Sequence, residues 1–159
     1  AVQTEPSLPP EAPRVELREA SVLLRDILKL TSEFEATVSA ALSVNRRDFD
    51  AMQHLIQNGA LTPTEIAHRL GVTTAAATVI VDRLTAVGHV TRQPHPTDRR
   101  GVLVVPTPES VTQAMGRIMP LIMGVDRALD DFGTAEQAAI TEYLRRVVEL
   151  YKEQISDDR

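Results

Sequence analysis

The run Thr62-Pro63-Thr64-Glu65 constrains this chain more than any other. A threonine ahead of a helix accepts the amide of the residue three positions on. Proline fits the first helical position, where no N–H is needed, and a glutamate at the third position reaches back to close the box. A helix is therefore predicted to begin at Pro63, with Ile66, Ala67 and Leu70 facing inward and Gly71 supplying the left-handed turn that ends it. Thr73 then caps another helix that runs to about Val87, buries Ala77, Ile80, Val81 and Leu84, and stops at Gly88. His89 to Gln93 and Val102 to Val105 are β-branched runs on either side of Pro94-His95-Pro96-Thr97-Asp98-Arg99-Arg100-Gly101. They read as the two strands of a hairpin.

The remaining chain is helical by its periodicity. Residues 1–13, with Pro6, Pro9, Pro10 and Pro13, read as an extended, mobile arm. From about Val15 to Leu42, apolar residues at helical spacing predict a long amphipathic helix. Asn45 can cap a second helix with Phe49, Met52, Leu55 and Ile56 on its core face. After the hairpin, Val111, Met115, Ile118, Ile122, Val125, Leu129 and Phe132 recur in alternating steps of four and three, with a bend expected at Pro120. Thr134 is expected to cap a last helix with Ile140, Tyr143, Leu144, Val147, Val148, Tyr151 and Ile155 in one broad stripe.

The fold class that follows is mainly α with a small β-wing: a winged helix-turn-helix lobe on a helical base. The lobe is assigned to residues 45–107 and the base to residues 14–44 and 108–159. Three long helices have more apolar surface than so small a lobe can cover, so a homodimer built on them is expected. A monomeric bundle is the alternative.

The chain has 159 residues, no cysteine and a net charge of −5. Without cysteine there are no disulfides and no thiol-based sensing. The acidic total argues at first against nucleic acid, but the charge is uneven. Residues 62–101 carry five Lys/Arg against three Asp/Glu, or +2, while the segments before and after stand at −3 and −4. A local basic edge on an acidic body still meets phosphates, because the nearby field decides contact. No apolar run approaches the roughly eighteen residues of a spanning helix, and no signal-peptide pattern opens the residues present. A cytoplasmic location away from membranes is expected.

Gly-x-Ser-x-Gly, phosphate-cradling glycine loops and paired carboxylates are missing, so no catalytic residue, enzyme activity or cofactor is expected. Glu65 and His68, three apart on one helix, fall short of the three groups a metal site needs, and no metal is expected. His54, on the polar side of the second helix, is a candidate contact for an anionic effector.

The runs Leu61-Thr62-Pro63-Thr64-Glu65-Ile66-Ala67, Leu70-Gly71-Val72-Thr73, Val81-Asp82-Arg83-Leu84, Gly88-His89-Val90 and Asp98-Arg99-Arg100-Gly101-Val102-Leu103-Val104 together closely resemble the MarR family of bacterial transcriptional regulators. The dense match spans Asn45 to Pro108. The resemblance implies a dimeric winged helix protein that binds pseudo-palindromic operators on duplex DNA, usually as a repressor released by a small ligand. It implies that Asp98 and Arg100 shape the wing and that a tip arginine enters the minor groove.

On these grounds Arg99 is assigned to the groove, and Arg100 to a bracing pair with Asp82. Thr74, Ala75, Thr78 and Val79 project away from the core face of the reading helix and are expected to face base edges, with Thr73 a cap first and a phosphate contact second. The set holds no bidentate donor for guanine, so thymine methyls, threonine hydroxyls and DNA shape remain as readouts. Arg69, Arg83 and Arg92 are candidate phosphate contacts, with a helix-surface ion pair the alternative for Arg83. A protein-binding winged helix, or a small ligand-binding protein without DNA function, would use the same fold.

Overall fold

The structure is a computed structural model and describes residues 15–157, so the proline-rich arm expected at 1–13 lies outside the described residues. Six helices and one hairpin follow in order: α1 (Glu19–Ala41), α2 (Arg46–Asn58), α3 (Pro63–Leu70), α4 (Thr74–Val87), β1 (Val90–Pro94), β2 (Val102–Pro106), α5 (Pro108–Ala128) and α6 (Thr134–Asp157). A 3-10 turn at Leu129–Asp131 joins the last two.

The local chemistry explains the boundaries. The Asn45 side chain accepts the Asp48 amide at 2.8 Å and starts α2. Thr62 accepts the Glu65 amide at 3.2 Å while the Glu65 carboxylate accepts the Thr62 amide at 3.3 Å, so the box closes from both sides. Gly71, at φ 65°, ends α3 in the left-handed region. Thr73 caps α4 through the Ala76 amide at 3.1 Å. Two expectations move. α1 begins at Glu19, not near Val15, and residues 15–18 carry no regular structure. α6 starts at Thr134 itself, and the Glu136 carboxylate accepts the Gly133 amide at 2.9 Å, so the capping contact belongs to Glu136. Helix α5 runs through Pro120.

β1 and β2 are antiparallel, with Val90 opposite Pro106, Arg92 opposite Val104 and Pro94 opposite Val102. Leu61, ahead of α3, adds a bridge: its amide donates to the Val104 carbonyl at 3.1 Å and its carbonyl accepts the Val104 amide at 2.8 Å. The wing is thereby stitched to the entry of the helix-turn-helix.

One core holds the lobe. Phe49, Met52 and Leu55 from α2, Ile66 and Ala67 from α3, Ala77, Ile80, Val81 and Leu84 from α4, and Val90 and Val104 from the wing pack together. Val38 and Leu42 enter from the end of α1 and Ala114 from the first half of α5. Burying a side chain of this size contributes about 1.5–3 kcal/mol. The base contrasts sharply. Only Val38 and Ser39 of α1, only Ser110 and Ala114 of α5, and no residue of α6 are buried. Ile27, Leu30, Leu121, Ile122, Val125, Leu144, Val148, Tyr151 and Ile155 are exposed.

Candidate nucleic-acid interface

Helix α4 turns Ala77, Ile80, Val81 and Leu84 into the core, and its helical period leaves Thr74, Ala75, Thr78 and Val79 on the outside. Val79 is 50% exposed, a large apolar side chain on the outer face of the helix. The Thr78 hydroxyl donates back to the Thr74 carbonyl at 3.0 Å, and the Thr73 hydroxyl oxygen is occupied by its cap. The outer face is therefore small, smooth and uncharged.

Two ion pairs flank it. Arg83 forks onto Asp48 of α2, with Nε donating to Oδ2 at 2.9 Å and Nη2 to Oδ1 at 2.8 Å. The Asp48 side chain is 4% exposed and that of Arg83 46%, so the carboxylate is buried and the cation reaches the surface. The hydrogen bond to Asp48 raises the guanidinium pKa above its ordinary value, burial opposes the shift, and the Coulombic attraction of Asp48 adds to it.

The second pair corrects an expectation. Asp82 is met not by Arg100 but by Arg92, whose Nη2 donates to the carboxylate while Nη1 donates to the Thr85 hydroxyl at 3.3 Å. The cause is the strand period. Val90 is buried, so Arg92, two residues on, leaves the hairpin on the same side and lands against α4. Arg100 sits in the turn beyond the end of the ladder. There the Asp98 carboxylate accepts its backbone amide at 3.0 Å.

The wing tip is organised by its own short-range bonds. The His95 amide donates to the Gly101 carbonyl at 3.1 Å, and the Gly101 amide to the Asp98 carbonyl at 3.0 Å. The His95 ring nitrogen Nδ1 accepts the amides of Thr97 at 3.2 Å and Asp98 at 3.1 Å. Arg99 and Arg100 are exposed at this tip.

The chain has relatives in sequence and in fold. Residues 42–101 match the model of the MarR family. The multiple antibiotic resistance protein MarR of Escherichia coli strain K12 is 32% identical over 109 residues, covering 67% of this chain and 74% of that protein. The chain belongs to the MarR family. An uncharacterized HTH-type transcriptional regulator of Bacillus subtilis strain 168, YcgE, is 27% identical over 143 residues, 89% of this chain and 93% of its own. Among solved structures, the transcriptional regulator Tm0710 of Thermotoga maritima superposes with a TM-score of 0.57 at 26% identity, covering 86% of this chain and 96% of that one. RV1404 of Mycobacterium tuberculosis shares the fold at a TM-score of 0.64 and 22% identity, over 86% and 97% of the two chains.

As a MarR family member, the chain is a DNA-binding regulator of transcription. Three features of this member were not found from the sequence. His89, read there as the start of a strand, is a buried joint between lobe and base. Its Nε2 lies 2.7 Å from the Leu42 carbonyl at the end of α1, and its Nδ1 lies 2.7 Å from Ser110 Oγ at the start of α5. A carbonyl only accepts, so Nε2 is assigned the proton and Nδ1 accepts from the serine hydroxyl. Asp48, the anchor of Arg83, and His95, the organiser of the tip, are the other two. A donor or acceptor whose partner is distant in sequence leaves no local pattern. Nothing in the sequence could have flagged Asp48 except its place in the first turn of α2, while His95 between two prolines was a visible turn signal. His54 is half-buried on α2, and Asn58 Nδ2 donates to its carbonyl at 2.7 Å. The apolar groove of about 540 Å³ lies elsewhere, between α1 and α5, lined by Ile27, Leu30, Phe34, Leu121 and Val125 with Thr31, Glu33 and Thr37.

Proposed function

We propose that the protein acts in the bacterial cytoplasm as a homodimeric repressor, with residues 45–107 reading DNA and the helices on either side forming the dimer base. The observation that carries the paired architecture is α6. Its 24 residues include none that is buried, while Leu144, Val148, Tyr151 and Ile155 stand 46–59% exposed. Soluble monomers rarely leave so continuous an apolar stripe in water. A second copy covers it by symmetry, together with the outer faces of α1 and α5. The two α4 helices then enter successive major grooves roughly 34–36 Å apart, with Arg99 at the neighbouring minor groove.

Release follows from the same design. The α1–α5 groove lies within the base that sets the spacing of the two lobes, and an apolar small molecule fits its lining. Such an effector weakens DNA binding only by preferring a base whose lobes are spaced wrongly for the operator. The groove, rather than His54, is the effector site in this reading.

Two measurements test the proposal. Light scattering on the purified chain should give twice the monomer mass across the micromolar range, and Leu144→Glu should lower it. Selection from random duplexes at fixed salt should enrich an inverted repeat. A monomer indifferent to duplex sequence sinks the reading. DNA affinity that does not fall with salt points instead to a protein-binding module.

A further inference from the structure

We infer that each operator half-site is read in the major groove chiefly through thymine 5-methyl groups, with Ala75 and Val79 as the specificity-determining side chains. The inference rests on the operator-binding reading above and narrows it to one base chemistry.

The charged side chains of the helix are already committed, and its threonines carry single hydroxyls that cannot fork onto a base. Forked contacts to guanine come from arginine or lysine, and forked contacts to adenine from asparagine or glutamine. Helix α4 contains one arginine and none of the other three. That arginine, Arg83, already spends Nε and Nη2 on a carboxylate that is itself buried, so turning it to a base would strand Asp48. Asp82 is the one acid on α4 and so the one acceptor of a cytosine amino group by carboxylate, and it is held by Arg92. Arg92 in turn is held by Asp82 and Thr85, which keeps the nearest wing cation off the bases. Thr78 donates its proton to the Thr74 carbonyl and Thr73 accepts the Ala76 amide, so each has one role left, and the exposed Thr74 hydroxyl offers a single contact; none distinguishes one base pair by a forked bond.

Beyond those single hydroxyls, what the face offers is carbon. Ala75 and Val79 are exposed and four residues apart, one helical turn, on the same side. Four residues advance about 6 Å along the axis, close to two base steps of roughly 3.4 Å each. The two side chains thus meet methyl groups on neighbouring or next-neighbouring base pairs. Each contact takes apolar surface from water on both partners, which is the gain that an exposed valine forgoes in the free protein.

The test starts from the duplex recovered by selection and replaces its thymines one at a time by deoxyuridine, which removes the methyl and nothing else. One or two positions per half-site should lose roughly three- to five-fold in affinity, the size of one buried methyl group. With Val79→Ala, the position facing residue 79 should become indifferent to the replacement, while the thermal unfolding midpoint stays put because the side chain is half exposed. Changing that T·A pair to C·G should weaken binding, and 5-methylcytosine there should restore part of it. Equal affinity for thymine and uracil duplexes overturns the inference, as does a half-site whose binding is lost on 7-deazaguanine substitution. Those two results leave operator binding intact. Failure to select any duplex removes the operator reading and the inference with it.

Discussion

Arg92 on the first wing strand holds the carboxylate of Asp82 on α4 and passes a second nitrogen to the Thr85 hydroxyl at 3.3 Å. The pair is exposed, with 36% and 62% of the two side chains accessible, so it stabilises the fold little. On the operator-binding reading, its effect falls on recognition. It links the hairpin to α4 and, on that reading, covers a negative charge that would otherwise face phosphates.

Arg92→Ala should therefore lower operator affinity roughly tenfold through the unmasked carboxylate, a like-charge juxtaposition with phosphate. Asp82→Asn added to Arg92→Ala should recover part of that loss. Fluorescence anisotropy on the two single variants and the double variant gives the coupling directly. Additive losses would show that the pair does not act as a unit.

The Arg83–Asp48 pair behaves differently because only one partner is buried. Arg83→Ala strands a carboxylate with 4% exposure and should cost about 2 kcal/mol in urea unfolding. Asp48→Asn should cost less, since the arginine head can turn to water. The same Arg83 variant reports on DNA. If Arg83 also touches a phosphate, its removal shallows the log–log salt slope by about 0.9.

At the wing tip, Arg99→Ala should leave the unfolding midpoint unchanged and weaken all duplexes by a similar factor. The salt slope should fall by about one unit. Loss of affinity for one sequence alone would instead assign Arg99 to base readout.

Glu142 supplies the pH dependence on α6. Hydrogen bonds from Arg146 first, then Arg145, hold its carboxyl below the usual carboxylate range. A group whose pKa is lowered in the folded state adds stability above the ordinary carboxylate range and loses it as pH falls through the folded value. The groups are exposed, so the contribution is small and screened by salt. Carbon-detected NMR titration should place Glu142 below the other exposed glutamates, and Arg146→Ala should return most of the difference.

How far the sequence reached can be judged from particular residues. Thr62, Glu65, Gly71 and Thr73 act within four positions of themselves, and their caps and turns were readable in full. The inward set on α4 followed from a 3.6-residue period. Asp82 braces the wing as expected, but through Arg92 and not Arg100. Choosing between Arg92 and Arg100 needs the strand register, and the register is set by which side of the hairpin Val90 buries. The Leu61–Val104 bridge and the His89 joint link positions 43 and 47 apart in the chain, or bring loops together, and such pairings carry no periodic signal.

Helix α6 shields none of its own residues. On the dimer reading, its order is a property of the population rather than of the single molecule. Dilution would then do more than separate subunits: it would unravel the last element of each and hand it to proteases. A cell holding too few copies would keep fewer still, so abundance itself becomes a threshold below which control of the target genes lapses.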